Sequence, residues 1–310
     1  AVAPRPRPAA VAAPLPAVSA TKAEAANPVR SLVADKRFLI SVEIRAERTR
    51  SLDEIVQGAA AVAEAGADMF DVPDNPGATV GRDAMVTAAR LQSALDVPSL
   101  CHLSVTQSNL MRLHSSIIGG WDLGLRGLLA VTGDAPSMGH LGNLARRVTD
   151  VRSSVELLRL LRGLREGRII NGERLADPPD FCAGCAIARP IPAQIKWLKA
   201  KIDAGAEFVF SQPVFTLDDF RSLRDALAEL PIRFFPGVMP LTNRRNAAFL
   251  AGGRIPGIVV PGEIAAEFEH YESPEDQRRF GLARACELAA GIAAEASGLY
   301  LIMPFGKNCY

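Results

Sequence analysis

The chain has 310 residues, 48% of them hydrophobic and 22% charged, with a formal net charge of +1, which suits a soluble globular protein of one large or two modest domains. Near-neutral charge gives no electrostatic basis for nucleic acid or an anionic membrane as partner, and 3 Tyr with 2 Trp argue against an aromatic platform for single strands. No apolar run reaches membrane-spanning length.

Residues 1–26 are mostly Ala and Pro, a composition that buries no core and is expected to form a flexible, disordered tail ahead of one folded domain over 27–310. A continuous apolar centre of the signal-peptide kind is missing from it. Strand and helix signals then alternate. Phe38 to Ile44 reads as a strand, and Ser51 with Glu54 forms a capping box for a helix that ends at Gly66-Ala67-Asp68. Met69 to Val72 is a second strand, residues 82–95 a helix, Ser99 to Ser104 a third strand, and Asn109 to Leu123 a helix. The stretch Leu128 to Pro136 is an uncharged strand that stops at Thr132-Gly133-Asp134, where Pro136 bars further sheet.

A long loop over 135–150 carries His140 and the Arg146-Arg147 pair, which read as surface charges. A helix from Val151 to Glu166 leads to a fifth strand, Phe181 to Ala188. Then come a helix over Ala193 to Ala204 and a sixth strand, Phe208 to Gln212. Leu217 to Leu230 is helical, Arg233 to Met239 is the seventh strand, helices lie near 243–251 and 274–297, and Gly298 to Met303 is the eighth strand. Eight nearly continuous apolar strands separated by helices predict a (β/α)₈ TIM barrel. An open doubly wound sheet is the weaker reading, because no Gly-x-Gly-x-x-Gly follows the first strand. Seven residues follow Met303, too few for a full final helix. The helix-like stretch Asn27 to Ala34, a homo-oligomeric copy or a partner subunit is expected to cover that flank.

Five scattered cysteines read as reduced thiols of a cytoplasmic protein. Cys182 and Cys185 have redox or metal spacing, yet no second pair or His cluster accompanies them, so they read as strand thiols and no metal is expected.

Active-site groups of such barrels lie at the C-terminal ends of the strands. Those ends present Glu43, Asp74, His102, Asp134, Arg189, Gln212 and the turn Pro236 to Pro240. Glu43 shares a face with Leu39 and Ser41, assigned to the barrel interior. Burial without an adjacent cation favours the protonated carboxyl, the form a general acid needs. The competing reading is a structural Glu bonded to a neighbouring strand. Gln212 combines donor and acceptor, suited to an amide-like ring edge. His102 alone reads as a core histidine and Lys201 as a solvated helix lysine.

Taken in order, Val42-Glu43-Ile44, His102-Leu103-Ser104, Leu129 to Asp134, Lys201 to Ala206 with Ser211-Gln212-Pro213-Val214-Phe215, Pro236 to Pro240, and Gly298 to Pro304 resemble methylenetetrahydrofolate reductase. The likeness runs from about residue 37 to 306, in the form found fused to homocysteine methyltransferases in some bacteria. The resemblance implies a barrel holding FAD across its C-terminal face. NADH or NADPH would reduce the flavin, and methylenetetrahydrofolate would then be reduced to methyltetrahydrofolate, a step of methionine biosynthesis. It casts Glu43 as the acid in ring opening, Asp134 as the carboxylate between flavin and pterin, and Gln212 as a pterin contact. Asp74, His102, Thr132, Gly133 and Lys201 fall on or near flavin positions. The chain departs from the family pattern at Thr132, where many members have Arg, and at Gln194, Trp197 and Arg45-Ala46-Glu47. A non-catalytic or flavin-free folate- or flavin-binding subunit acting with a partner protein is the second reading.

Overall fold

Apolar runs bounded by Gly, Pro and Asp set the strands of the computed structural model, which describes residues 27–253, 255 and 257–304. Eight strands pair in chain order into a closed barrel: β1 (Leu39–Glu43), β2 (Met69–Val72), β3 (Ser99–Ser104), β4 (Gly127–Val131), β5 (Cys182–Ile187), β6 (Phe208–Val214), β7 (Arg233–Val238) and β8 (Gly298–Leu301). All these pairings are parallel, and β8 closes on β1 with Leu39 opposite Gly298 and Ser41 opposite Tyr300. The expected (β/α)₈ barrel is therefore the fold. The expected tail over 1–26 lies outside the described residues.

Helices α2 (Leu52–Glu64), α3 (Ala84–Leu95), α4 (Leu110–Asp122), α5 (Ser154–Arg165), α6 (Pro192–Asp203) and α7 (Leu217–Leu227) each follow one strand from β1 to β6. Three more, α8 (Arg244–Ala251), α9 (Gly262–Glu267) and α10 (Pro274–Ala293), separate β7 from β8. The capping box of α2 is in place, with the Glu54 N–H donating to Ser51 and the Ser51 N–H donating to Glu54. Strand alternation sends Val42, Phe70, Leu128 and Val209 outward against the helices, while Leu39, Met69, Leu100, Phe208 and Phe235 fill the interior. Gly184 makes room for the Phe208 ring, since a Cβ there would sit 2.3 Å from it. Among the described residues no helix is long and apolar enough to cross a membrane.

Cys182 and Cys185 are buried thiols of β5, as expected, the first facing the interior and the second the helices, since three residues of strand reverse the side. Three expectations change. The sixth strand runs on to Val214 through a register shift between Phe210 and Pro213, which lets a strand contain proline. The short helix α9 was not anticipated, because six residues give no usable period. The third concerns α1 (Pro28–Ala34), which does not cover the flank beside β8. It crosses the N-terminal end of the barrel. Asn27 donates to the carbonyls of Arg126 and Asp180, just ahead of β4 and β5, and Val29 and Val33 join the interior apolar cluster. No helix follows β8 among the described residues.

Candidate active site

Interior packing aims the groups at the opposite, C-terminal end. Phe208, Phe210 and Phe235 stack edge-on inside the barrel, and Tyr300 lies flat on Phe210 with ring centroids 4.5 Å apart. That stack fixes the Tyr300 hydroxyl, whose Oη lies 2.7 Å from Glu43 Oε2. Glu43 is 8% exposed. Burial, then the neighbouring Asp71, pushes its carboxyl up to about 7, against an opposing pull from the tyrosine hydroxyl.

Asp71 is the register partner of Glu43 on β2 and is fully buried. The Ser41 hydroxyl donates to its Oδ2 at 3.0 Å, and His102 Nε2 lies 3.0 Å from its Oδ1. Four neighbouring strands thus place Tyr300, Glu43 with Ser41, Asp71 and His102 in one bonded group. Sequence reasoning missed Asp71 and Tyr300. Asp71 carried the same signal as Glu43, a lone carboxylate in an apolar strand, Met69-Phe70-Asp71-Val72. Tyr300 needed the closure of β8 on β1 to be found.

The other half of the rim is built from loops. Gly133 has φ +82°, and a Cβ there would sit 1.8 Å from Ser104 Oγ and 2.6 Å from Thr106 Oγ1, so only glycine lets the β4 end pack against β3. This turn brings Asp134 to the Gly77 N–H, which donates to Asp134 Oδ2 at 2.7 Å. Thr132 is exposed. Asp74 accepts the Ser104 N–H at 3.1 Å, and burial raises its carboxyl above the usual range. Lys201, far from being a solvated helix lysine, is half-buried and donates to the Ala186 carbonyl at 2.6 Å, with burial lowering its ammonium. Gln194 Oε1 accepts the N–H groups of Ala188 and Arg189, so it shapes the β5 end and is not a free contact.

Eight of the residues singled out from the sequence, Glu43, Asp74, His102, Thr132, Gly133, Asp134, Lys201 and Gln212, line one cleft of about 380 Å³, while the Pro236 to Pro240 turn is not part of its lining. Its walls include Leu129, Val131, Met138, Phe210 and Ile258. That size and that mix of apolar wall with a few polar groups fit an organic ligand with a flat ring. Arg189 is exposed and lies outside the cleft lining.

A family model described as "Methylenetetrahydrofolate reductase" matches residues 28–303. The chain belongs to the methylenetetrahydrofolate reductase family. Relatives include the "Probable methylenetetrahydrofolate reductase (NADH)" of Oryza sativa subsp. japonica, 23% identical over 86% of this chain and 46% of that protein. The "Methylenetetrahydrofolate reductase (NADH) 1" of Arabidopsis thaliana is 23% identical over 74% of this chain and 39% of its own length. The chain thus spans less than half the length of these family members. Among solved structures, an uncharacterized protein from Clostridium thermocellum that "binds two copies of 5-methyl-5,6,7,8-tetrahydrofolic acid" shares the fold with a TM-score of 0.59. It is 11% identical and covers 90% of this chain and 93% of its own.

Proposed function

We propose that the chain reduces 5,10-methylenetetrahydrofolate to 5-methyltetrahydrofolate, with FAD as cofactor and reduced nicotinamide as electron donor. The observation that carries this reading is Glu43, a buried carboxyl pushed up to about 7 at the floor of a cleft that fits a ring. The arylamine nitrogen released on ring opening is a weak base, and its departure needs a neutral acid within reach. Glu43 supplies that proton.

Asp134 has one oxygen fixed by the Gly77 N–H, and its other oxygen has no partner among the described residues. A carboxylate held in advance at the rim stabilises positive charge developing on a pterin. The Gln212 amide has no hydrogen-bond partner among the described residues and is seated beside Gly257, where a Cβ would stand 3.2 Å from Gln212 Cγ. It is available to read a pterin edge.

The cleft also suits FAD. The Lys201 ammonium meets a carbonyl and no carboxylate among the described residues, which leaves its charge for a phosphate. The turn at Gly133 lines the cleft, so its backbone is within reach of a ring seated there. Lys201, His102, Gly133 and Thr132 would hold the flavin, which when bound supplies the hydride chemistry. A second reading, a flavin-free folate-binding barrel, is favoured by exposed, uncharged Thr132 where many members carry a guanidinium.

The test is spectroscopic and chemical. Purified protein should show flavin absorbance, oxidise NADH or NADPH with menadione as acceptor, and form methyltetrahydrofolate. Protein that binds no added FAD and forms no methyltetrahydrofolate sinks the proposal. Colourless protein that still binds methyltetrahydrofolate establishes the second reading.

A further inference from the structure

Closure of the barrel sets Tyr300 of β8 opposite Ser41 of β1, two residues before Glu43 on the same face. A tyrosine spans that step. Its ring lies on Phe210 with planes 21° apart, and its hydroxyl donates to Glu43 Oε2 at 2.7 Å. Both side chains are buried, so water competes little for the bond. The nearer hydroxyl on β1 is taken, since Ser41 donates to Asp71 Oδ2. Glu43 lines the cleft, and its Oε1 has no hydrogen-bond partner among the described residues. The two oxygens of one carboxyl therefore stand in different surroundings. In a neutral carboxyl one oxygen bears the proton and the carbonyl oxygen is the better acceptor. A donor fixed on Oε2 makes Oε2 the carbonyl and leaves the proton to Oε1.

We propose that Tyr300 is a positioning residue for the proton donor: its hydroxyl anchors Oε2 of Glu43, so that the carboxyl bears its proton on Oε1 and offers it to the cleft. The destination of that proton rests on the folate reading above, whereas the anchoring rests on the bond and the ring stack. Without an anchor, a glutamate turns about its last torsion, which is broad and two-fold, and either oxygen can bear the proton toward the cleft or away from it. The stack makes the anchor rigid, because Phe210 is itself held between Phe208 and Phe235. The other titratable and charged groups facing Glu43 are Asp71 on β2, His102 on β3 and Arg45 beyond the end of β1. Tyr300→Phe leaves these three and the stack in place, so what it changes belongs to the hydroxyl.

The experiment is infrared spectroscopy of the full chain without folate or nicotinamide, on the protonated-carboxyl band that Glu43→Gln removes. Loss of a donor to the carbonyl oxygen stiffens the C=O bond, so Tyr300→Phe should move the band to higher wavenumber. The same donor favours the carboxylate over the neutral acid, so its loss should raise the titration midpoint by about one pH unit. A tyrosine that served packing alone would move neither, and an unmoved band with an unmoved midpoint overturns the proposal. If Tyr300→Phe does not fold, the unmutated chain grown with ring-fluorinated tyrosine takes its place. Its more acidic hydroxyl is a stronger donor and should lower both band and midpoint; a fluorinated chain that moves neither overturns the proposal equally. In protein that turns over folate, Tyr300→Phe should slow the folate-dependent step by roughly 10- to 100-fold, the cost of a misplaced reacting group, with little change in KM. The upper pH limit of that step should rise with the midpoint. A band that responds in protein inert to folate retains the anchor and rejects the folate reading. An unmoved band in active protein does the reverse.

Discussion

At the N-terminal end of the barrel Arg30 divides its guanidinium between Asp180 and Glu207. At the C-terminal end Glu43 meets the hydroxyl of Tyr300 instead, and its neighbour Asp71 meets Ser41 and His102. Both ends use polar groups that the interior buries, and both draw them from several strands. At the first, every carboxylate has a cation: Arg30 makes a bidentate pair with Asp180 and two further bonds to Glu207, and Arg165 adds a contact at 2.8 Å. Bonds to those carboxylates outweigh burial and hold the Arg30 guanidinium above its ordinary range. Opposite charges in contact have no proton to exchange near neutrality, so that end holds the chain shut. At the second end the bonded partner of Glu43 is a tyrosine hydroxyl, and burial lifts Glu43 to about 7, where a proton can move. The same barrel keeps a fixed end and a titrating end.

Substitution of Glu43 tests the titrating end most severely. Glu43→Gln keeps shape and hydrogen-bonding capacity and removes the proton. Loss of a general acid typically costs about 10²- to 10⁴-fold, and that loss is expected in the rate of folate reduction. The reduction of flavin by nicotinamide, measured in the same preparation by stopped-flow absorbance, needs no such acid and should change far less. Equal loss in both half-reactions would remove the acid role from Glu43.

Gly133 should give the next largest effect. Gly133→Ala places a Cβ in positive-φ backbone and within 1.8 Å of Ser104 Oγ, with Thr106 close behind. Strain and overpacking together are expected to cost about 3 kcal/mol or more, read as a lower denaturant midpoint. The displaced turn would carry Asp134 away from Gly77. A variant as stable as the parent would show that the turn relaxes freely.

The pH dependence of stability is smaller and has a fixed sign. Glu43 is raised from 4.5 to about 7 on folding, so the folded state holds the proton longer. Its contribution is full below about pH 4.5 and is lost as pH rises through about 7, on the order of 3 kcal/mol in all. Asp74 is raised as well and slopes the same way. The part owed to Glu43 is therefore the difference between parent and Glu43→Gln in denaturant titrations across that window. Identical slopes would place the raised carboxyl elsewhere.

Much of the titrating end was legible in the sequence because lone polar residues stand out in apolar strands. Glu43 and Asp134 followed from strand ends, whereas His102 at its strand end read as a core histidine and gained a site role only through the family resemblance; the barrel followed from eight apolar runs. What was not legible depends on closure. Tyr300 and Ser41 are partners only because β8 pairs with β1, a relation between residues 259 positions apart that periodicity does not carry. Lys201 on a helix gave the pattern of a solvated residue, and its burial arises from the packing of α6 over β5. The placement of α1 was misjudged for a similar reason. Its apolar residues Val29 and Val33 are four apart and mark one buried face, but that face does not say which surface it meets. The deciding residues are Asn27 and Arg30, whose partners Arg126, Asp180 and Glu207 lie far along the chain.

Arg30→Met probes the fixed end and should have the smallest effect. The pairs it breaks are half-screened, with side-chain exposures of 26% for Arg30, 39% for Asp180 and 27% for Glu207. Water takes up part of what the carboxylates lose, and Arg165 still reaches Asp180. The expected loss is about 1–2 kcal/mol, between an exposed and a buried pair. Val29 and Val33 would continue to anchor α1, so the barrel should remain closed. The decisive feature is what does not move: the midpoint of the Glu43 carboxyl, followed by its protonated-carboxyl infrared band, should be the same in Arg30→Met and the parent, because among the described residues no bond joins the two ends. A midpoint displaced along with stability would mean that α1 sets the geometry of the mouth through the stacked phenylalanines, and the division between a fixed and a titrating end would fail.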